Sequence, residues 1–89
     1  MKIINTAIEG VYIIEPQVFE DNRGYFFESY NKQKMDEAGL KYDFIQDNQS
    51  MSKYGTIRGI HFQKGDFAQA KLVRVLEGTV LDVAVDLRK

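Results

Sequence analysis

The sequence predicts an all-β fold with one short helix, and three features of its 89 residues point there. Apolar residues alternate with polar ones at period two through most of the chain, the spacing of strands with one buried face. Glycine- and Asx-containing breaks separate these runs where turns are needed. Only residues 31–39 carry the start and stop signals of a helix.

In VYII (11–14), Val11 and Ile13 face one side and Tyr12 and Ile14 the other. Pro16 then interrupts ladder bonding, so the run suits an edge or a strand end. EDNRG (20–24) is a turn by chemistry, since Asp and Asn tolerate unusual φ and Gly24 adopts it freely. YFFESY (25–30) resumes extended character. In NKQKMDEAG (31–39), Asn31 suits the N-cap and Gly39 the left-handed position after the last turn. Met35 and Ala38 give that helix a narrow apolar stripe.

FIQDNQS (44–50) and TIRGIHFQ (56–63) read as strand-like runs around a loop at SKYG (52–55). KLVRVLEGTVLDVAVDLR (71–88) has the pattern of a hairpin broken at Glu77-Gly78. Leu81, Val83, Val85 and Leu87 line one face of its second arm, with Val80, Asp82, Ala84 and Asp86 on the other. There is no internal repeat or linker, so residues 1–89 read as one domain. A strand with one apolar face running to Arg88-Lys89 needs a cover. The expectation is therefore the front part of a longer all-β domain, with pairing to another subunit as the alternative.

The composition, 44% hydrophobic and 12% aromatic, is that of a globular protein. Twelve basic against thirteen acidic residues leave a net charge of -1. That balance gives no electrostatic reason to expect nucleic acid or an anionic membrane as partner, and it opposes self-association only weakly. Without cysteine, neither disulfides nor thiolate metal sites form. No run approaches the ~20 apolar residues of a membrane span. A soluble, cytoplasmic protein is expected.

His61, the chain's one histidine, reads in three ways: a hydrogen-bonded core residue, a metal ligand, or a proton-transfer group. A metal site is the weakest of these, for no second imidazole is present to share it. Arg58 precedes His61 by three residues, Lys71 heads the next run, and Gln46, Asp47 and Asn48 form a polar triplet. Polar groups are costly to bury unpaired, so this set suggests a polar pocket. Solvated strand positions for Arg58 and Lys71, and edge-strand or turn hydrogen bonding for Gln46 and Asn48, remain the alternatives. Arg23 and Glu28 read on composition as a surface turn and an exposed strand charge. A regular strand would send residues 58 and 61 to opposite faces, so a bulge at Gly59 is expected if both are to share a cavity.

RGYFFESYN (23–31), FIQDNQSMSKYGTIRGIHFQ (44–63) and AQAKLVRVLEGTVLDVAVDLRK (68–89) closely resemble the dTDP-4-dehydrorhamnose 3,5-epimerase family, in collinear order over essentially the whole chain. The resemblance implies a cupin-type jelly-roll β-sandwich, of which residues 1–89 are the N-terminal part. It implies a homodimer acting on a nucleotide-sugar substrate in dTDP-L-rhamnose formation, with no metal or organic cofactor. By the same resemblance His61 is the general base and Lys71 stabilises the developing oxyanion. Arg58, Gln46, Asp47 and Asn48 contact substrate, and Arg23 and Glu28 line the nucleotide end, supplied across the dimer interface.

Two departures stand out. The family's chain is about twice as long by that resemblance, and its second half carries a tyrosine acid, a second histidine and the carboxylate that orients the base. The 89-residue chain alone is accordingly expected to be inactive. Residues 64–67, KGDF, replace a proline-containing loop of many members. A related cupin isomerase, a single-site epimerase, or a silent sugar-nucleotide-binding or dimerisation fragment are the alternative readings.

Overall fold

The structure, a computed structural model, describes residues 1–88. Two compact units divide the chain, residues 1–41 with 82–88 forming one and Tyr42–Leu81 the other. The described residues hold four short strands, one α-helix and one 3-10 turn, the β-rich content that the alternating pattern predicts.

In the first unit, β1 (Lys2–Asn5) pairs antiparallel with β2 (Tyr12–Glu15), from Lys2 opposite Glu15 to Asn5 opposite Tyr12. Ile3, Ile4 and Ile14 are its half-buried residues. The connection closes on a threonine. The Thr6 hydroxyl lies 2.7 Å from the Val11 carbonyl oxygen and accepts the Ile8 N–H at 3.2 Å. Gly10, at φ 90, supplies the left-handed residue that this turn requires. Arg88 donates to the Glu9 carbonyl oxygen, tying residues 82–88 to the same turn. β2 ends at Glu15, immediately before Pro16, whose missing N–H cannot extend the ladder.

β3 (Val18–Asp21) and β4 (Gly24–Phe27) form a second hairpin. The turn is tighter than EDNRG implies. Glu20 and Asp21 already belong to the strand, opposite Tyr25 and Gly24, so Asn22 and Arg23 alone make the tip. Neither takes a positive φ; that value falls on Gly24.

Helix α1 (Lys32–Glu37) follows, with both ends closed as its sequence predicts. The Asn31 side chain accepts the Lys34 N–H at 3.0 Å. At the other end Gly39 takes φ 86, its N–H reaches the Asp36 carbonyl, and the Leu40 N–H reaches that of Met35 at 2.9 Å. This is the double closure of a Schellman motif, which brings the residues at its two ends into register for an apolar contact. Those two residues, Met35 and Leu40, are the buried hydrophobic core of the described chain.

The second unit is irregular. Residues 54–55 form a turn, with Gly55 at φ 82 and the Thr56 N–H on the Lys53 carbonyl. Gly65–Phe67 forms a single 3-10 turn, so KGDF is a compact corner. The strands expected at 44–50 and 56–63 and the hairpin expected at 71–88 carry no ladder among the described residues. Ile45, Ile57, Ile60, Leu81 and Val83 remain exposed. The reason is physical: alternation makes a segment fit for a sheet, but a ladder needs neighbouring main chain and a cover for its apolar face.

Candidate functional site

Arg23 and Glu28 belong to the first unit and sit at opposite ends of β4. Five residue steps of extended chain separate them, about 16 Å at roughly 3.3 Å per residue. At the hairpin tip the Asp21 carboxylate gathers three donors of Arg23. The backbone N–H donates at 2.8 Å, Nε at 3.2 Å and Nη2 at 2.6 Å. The guanidinium, hydrogen-bonded through its side chain, holds the Asp21 carboxyl below its usual pKa, and the carboxylate raises that of Arg23 in return.

Glu28 leaves the far end of β4 and meets the start of α1. Lys34 Nζ lies 3.1 Å from its Oε1. Its pKa is lowered first by the hydrogen bond to Lys34 and then by one to Asn31, the same residue that caps the helix. One asparagine therefore couples the helix start to this carboxylate.

In the second unit, Gln46 Nε2 donates to Asn48 Oδ1 at 3.3 Å. The two-residue spacing puts both amides on one side of an extended segment, with Asp47 between them. Arg58 folds back on the preceding loop, Nε donating to Ser52 Oγ at 2.9 Å and Nη2 to the Met51 carbonyl at 3.3 Å. Its side chain closes a seven-residue loop instead of turning toward His61. Gly59 does leave regular extended geometry, with φ 126, as the expected irregularity requires. No strand surrounds it, however, so it is not a bulge, and Arg58 and His61 are both exposed rather than enclosed in one cavity. Asp47 and Lys71 are exposed as well.

Within each unit, then, Arg23, Glu28, Gln46, Asn48 and Arg58 sit in local hydrogen-bonded settings, while Asp47, His61 and Lys71 are exposed. Three partners escaped the sequence reading: Asp21, Asn31 and Lys34. The Asp-x-Arg spacing across a two-residue turn was the available signal for the first. The other two follow only once the helix start is seen beside Glu28.

The described residues are β-rich with one short helix, the content expected of the front part of a cupin-like protein. A crystal structure of dTDP-4-dehydrorhamnose 3,5-epimerase from Elizabethkingia anophelis matches them with a TM-score of 0.69 and 55% identity, over 76% of this chain and 38% of that one. The family model described as dTDP-4-dehydrorhamnose 3,5-epimerase matches residues 5–89, and the chain belongs to that family. The enzyme of that name from Salmonella typhimurium is 58% identical over the whole of this chain and 49% of its own. That from Methanothermobacter thermautotrophicus is 52% identical over 99% of this chain and 47% of its own. The chain spans about half the length of these curated relatives.

Proposed function

We propose that the protein carrying this chain epimerises a nucleotide-linked 4-keto-6-deoxy sugar, dTDP-4-dehydro-6-deoxyglucose, at C3 and C5. The single observation that carries this reading is the family match over residues 5–89, which includes RGIHFQ and AQAKLVRV intact. The chemistry fits the residue types. A proton on carbon next to a ketone is acidic only because the resulting carbanion is an enolate. His61 takes that proton, for a neutral imidazole is both available and basic near neutral pH. Lys71 donates to the enolate oxygen as charge develops there.

Return of a proton to the opposite face of the carbon completes the inversion. The sugar's oxidation state is unchanged, and the electron pair left by the C–H bond returns to it. Arg58 and the Gln46-Asp47-Asn48 segment hold the sugar nucleotide by hydrogen bonds. Arg23 and Glu28 line its nucleotide end, where a guanidinium fork suits phosphate oxygens. A homodimer in the cytoplasm, feeding dTDP-L-rhamnose formation, completes the proposal. No helix among the described residues is long and apolar enough to cross a membrane.

The test is isotopic. The full-length protein in D₂O is expected to wash deuterium into the two sugar carbons flanking the ketone. His61→Ala is expected to stop this while nucleotide affinity stays near that of the parent. Exchange in the mutant at the parent rate would remove His61 as the base, and exchange at one carbon only would mark a single-site epimerase.

A further inference from the structure

The β3–β4 tip combines features that an ordinary surface ion pair lacks. Exposed pairs usually contribute little, because two long side chains must be held for a screened attraction. Here the carboxylate is short, sits in the strand opposite Gly24, and binds the arginine's own backbone N–H as well as its side chain. Nε and Nη2 take the carboxylate along one edge of the guanidinium. A guanidinium has five N–H donors in a fixed plane. With two of them engaged, one Nη1 hydrogen and the second Nη2 hydrogen remain as the outward, end-on edge of the fork, with the other Nη1 hydrogen beside it. No partner meets Nη1 among the described residues. The Arg23 side chain is 87% exposed, so its remaining donors lie open to solvent.

We propose that Asp21 is a positioning residue: its carboxylate holds the inner edge of the Arg23 guanidinium so that the outer edge is presented to a phosphate group of the ligand. The inference rests on the reading of Arg23 as a nucleotide-end residue and adds to it the group that orients the fork. Free arginine carries substantial rotamer entropy, and a fork already aimed loses less of it when an anion docks. The opposing effect is repulsion between the Asp21 carboxylate and the arriving phosphate. It acts through water of high dielectric, where two unit charges held a guanidinium's width apart repel by about RT or less. Orientation is therefore the larger effect, and removal of the carboxylate weakens binding.

The experiment measures dTDP affinity by calorimetry in the full-length protein for Asp21→Ala, Asp21→Asn, Arg23→Ala and the double variant Asp21→Ala/Arg23→Ala. Arg23→Ala is expected to weaken binding about tenfold or more, as loss of a charge-assisted fork does. Asp21→Ala should weaken it about three- to tenfold, the share due to pre-orientation. Asp21→Asn keeps the turn bond and one acceptor oxygen, so it should lie between Asp21→Ala and the parent. The double variant should bind no worse than Arg23→Ala, because a positioning residue has nothing left to position. Additive losses would mean that Asp21 acts only through the turn and would overturn the proposal. Tighter binding by Asp21→Asn would also overturn it, since the carboxylate would then be a competing anion. An unchanged affinity in Arg23→Ala removes the nucleotide-end reading of Arg23 itself, whereas a loss there with none in either Asp21 variant removes the positioning role alone.

Discussion

Replacing Asn31 by alanine tests the junction between the helix and the carboxylate of Glu28. The Asn31 side chain satisfies the Lys34 N–H, one of the helix-start donors with no intrahelical acceptor. Its loss should cost about 1 kcal/mol, within the 0.5–2 kcal/mol range of lost caps. With a urea slope of about 2 kcal/mol/M, the unfolding midpoint should fall by about 0.5 M. The same substitution removes the Asn31 hydrogen bond to Glu28, so the Glu28 carboxyl should titrate closer to 4.5. Asn31→Ser is the control. It keeps an acceptor oxygen for the Lys34 N–H and puts no charge beside Glu28. Its midpoint should therefore stay within about 0.2 M of the parent, the spread of an ordinary surface substitution. The reasoning fails if Asn31→Ala unfolds at the parent midpoint, or if Asn31→Ser falls as far as the alanine variant.

Two further outcomes follow from the same unit. Gly39→Ala places a β-carbon at φ 86 with nothing within 4 Å, so its cost is conformational rather than steric. The left-handed penalty of about 1–2 kcal/mol, less the gain from a stiffer unfolded chain, leaves a net loss of about 1 kcal/mol. Differential scanning calorimetry should show a lower Tm, and an unchanged one would contradict the Schellman closure. Lys34→Met removes the first cause of the lowered Glu28 pKa. A group whose pKa is lower folded than unfolded adds stability above the unfolded value, and that stability is lost as pH falls through the folded one. The Lys34→Met variant should thus be less stable than the parent at neutral pH and converge with it in acid. Carbon-detected NMR should show its Glu28 titrating higher; an unmoved titration would exclude the Lys34 contact in solution.

What was legible in the sequence is what a few neighbouring residues decide. Asn31 and Gly39 bound a helix through bonds that span three to five positions, and Pro16 ends β2 by lacking an N–H. The β3–β4 turn was legible in place but not in length, since Asp21 both joins the strand and caps the tip. Residues 71–88 read as a hairpin, yet their alternation records fitness for a sheet rather than the presence of a neighbour. The same limit governs the site. RGIHFQ identifies residue types suited to proton transfer, whereas the Arg58 bond is to Ser52, a hydroxyl six residues back and outside that run.

The strand pairings of the first unit are all local. The widest joins Lys2 to Glu15, and the helix closes on Leu40. Hairpins and helices of this reach form in microseconds or less, while a ribosome adds only about 5–20 residues per second. Both hairpins and the capped helix can therefore sample their native form while residues 42–88 are still being synthesised. In the cell the nascent chain would already be visiting the Arg23 tip and the Glu28 junction, and later packing would hold them in place.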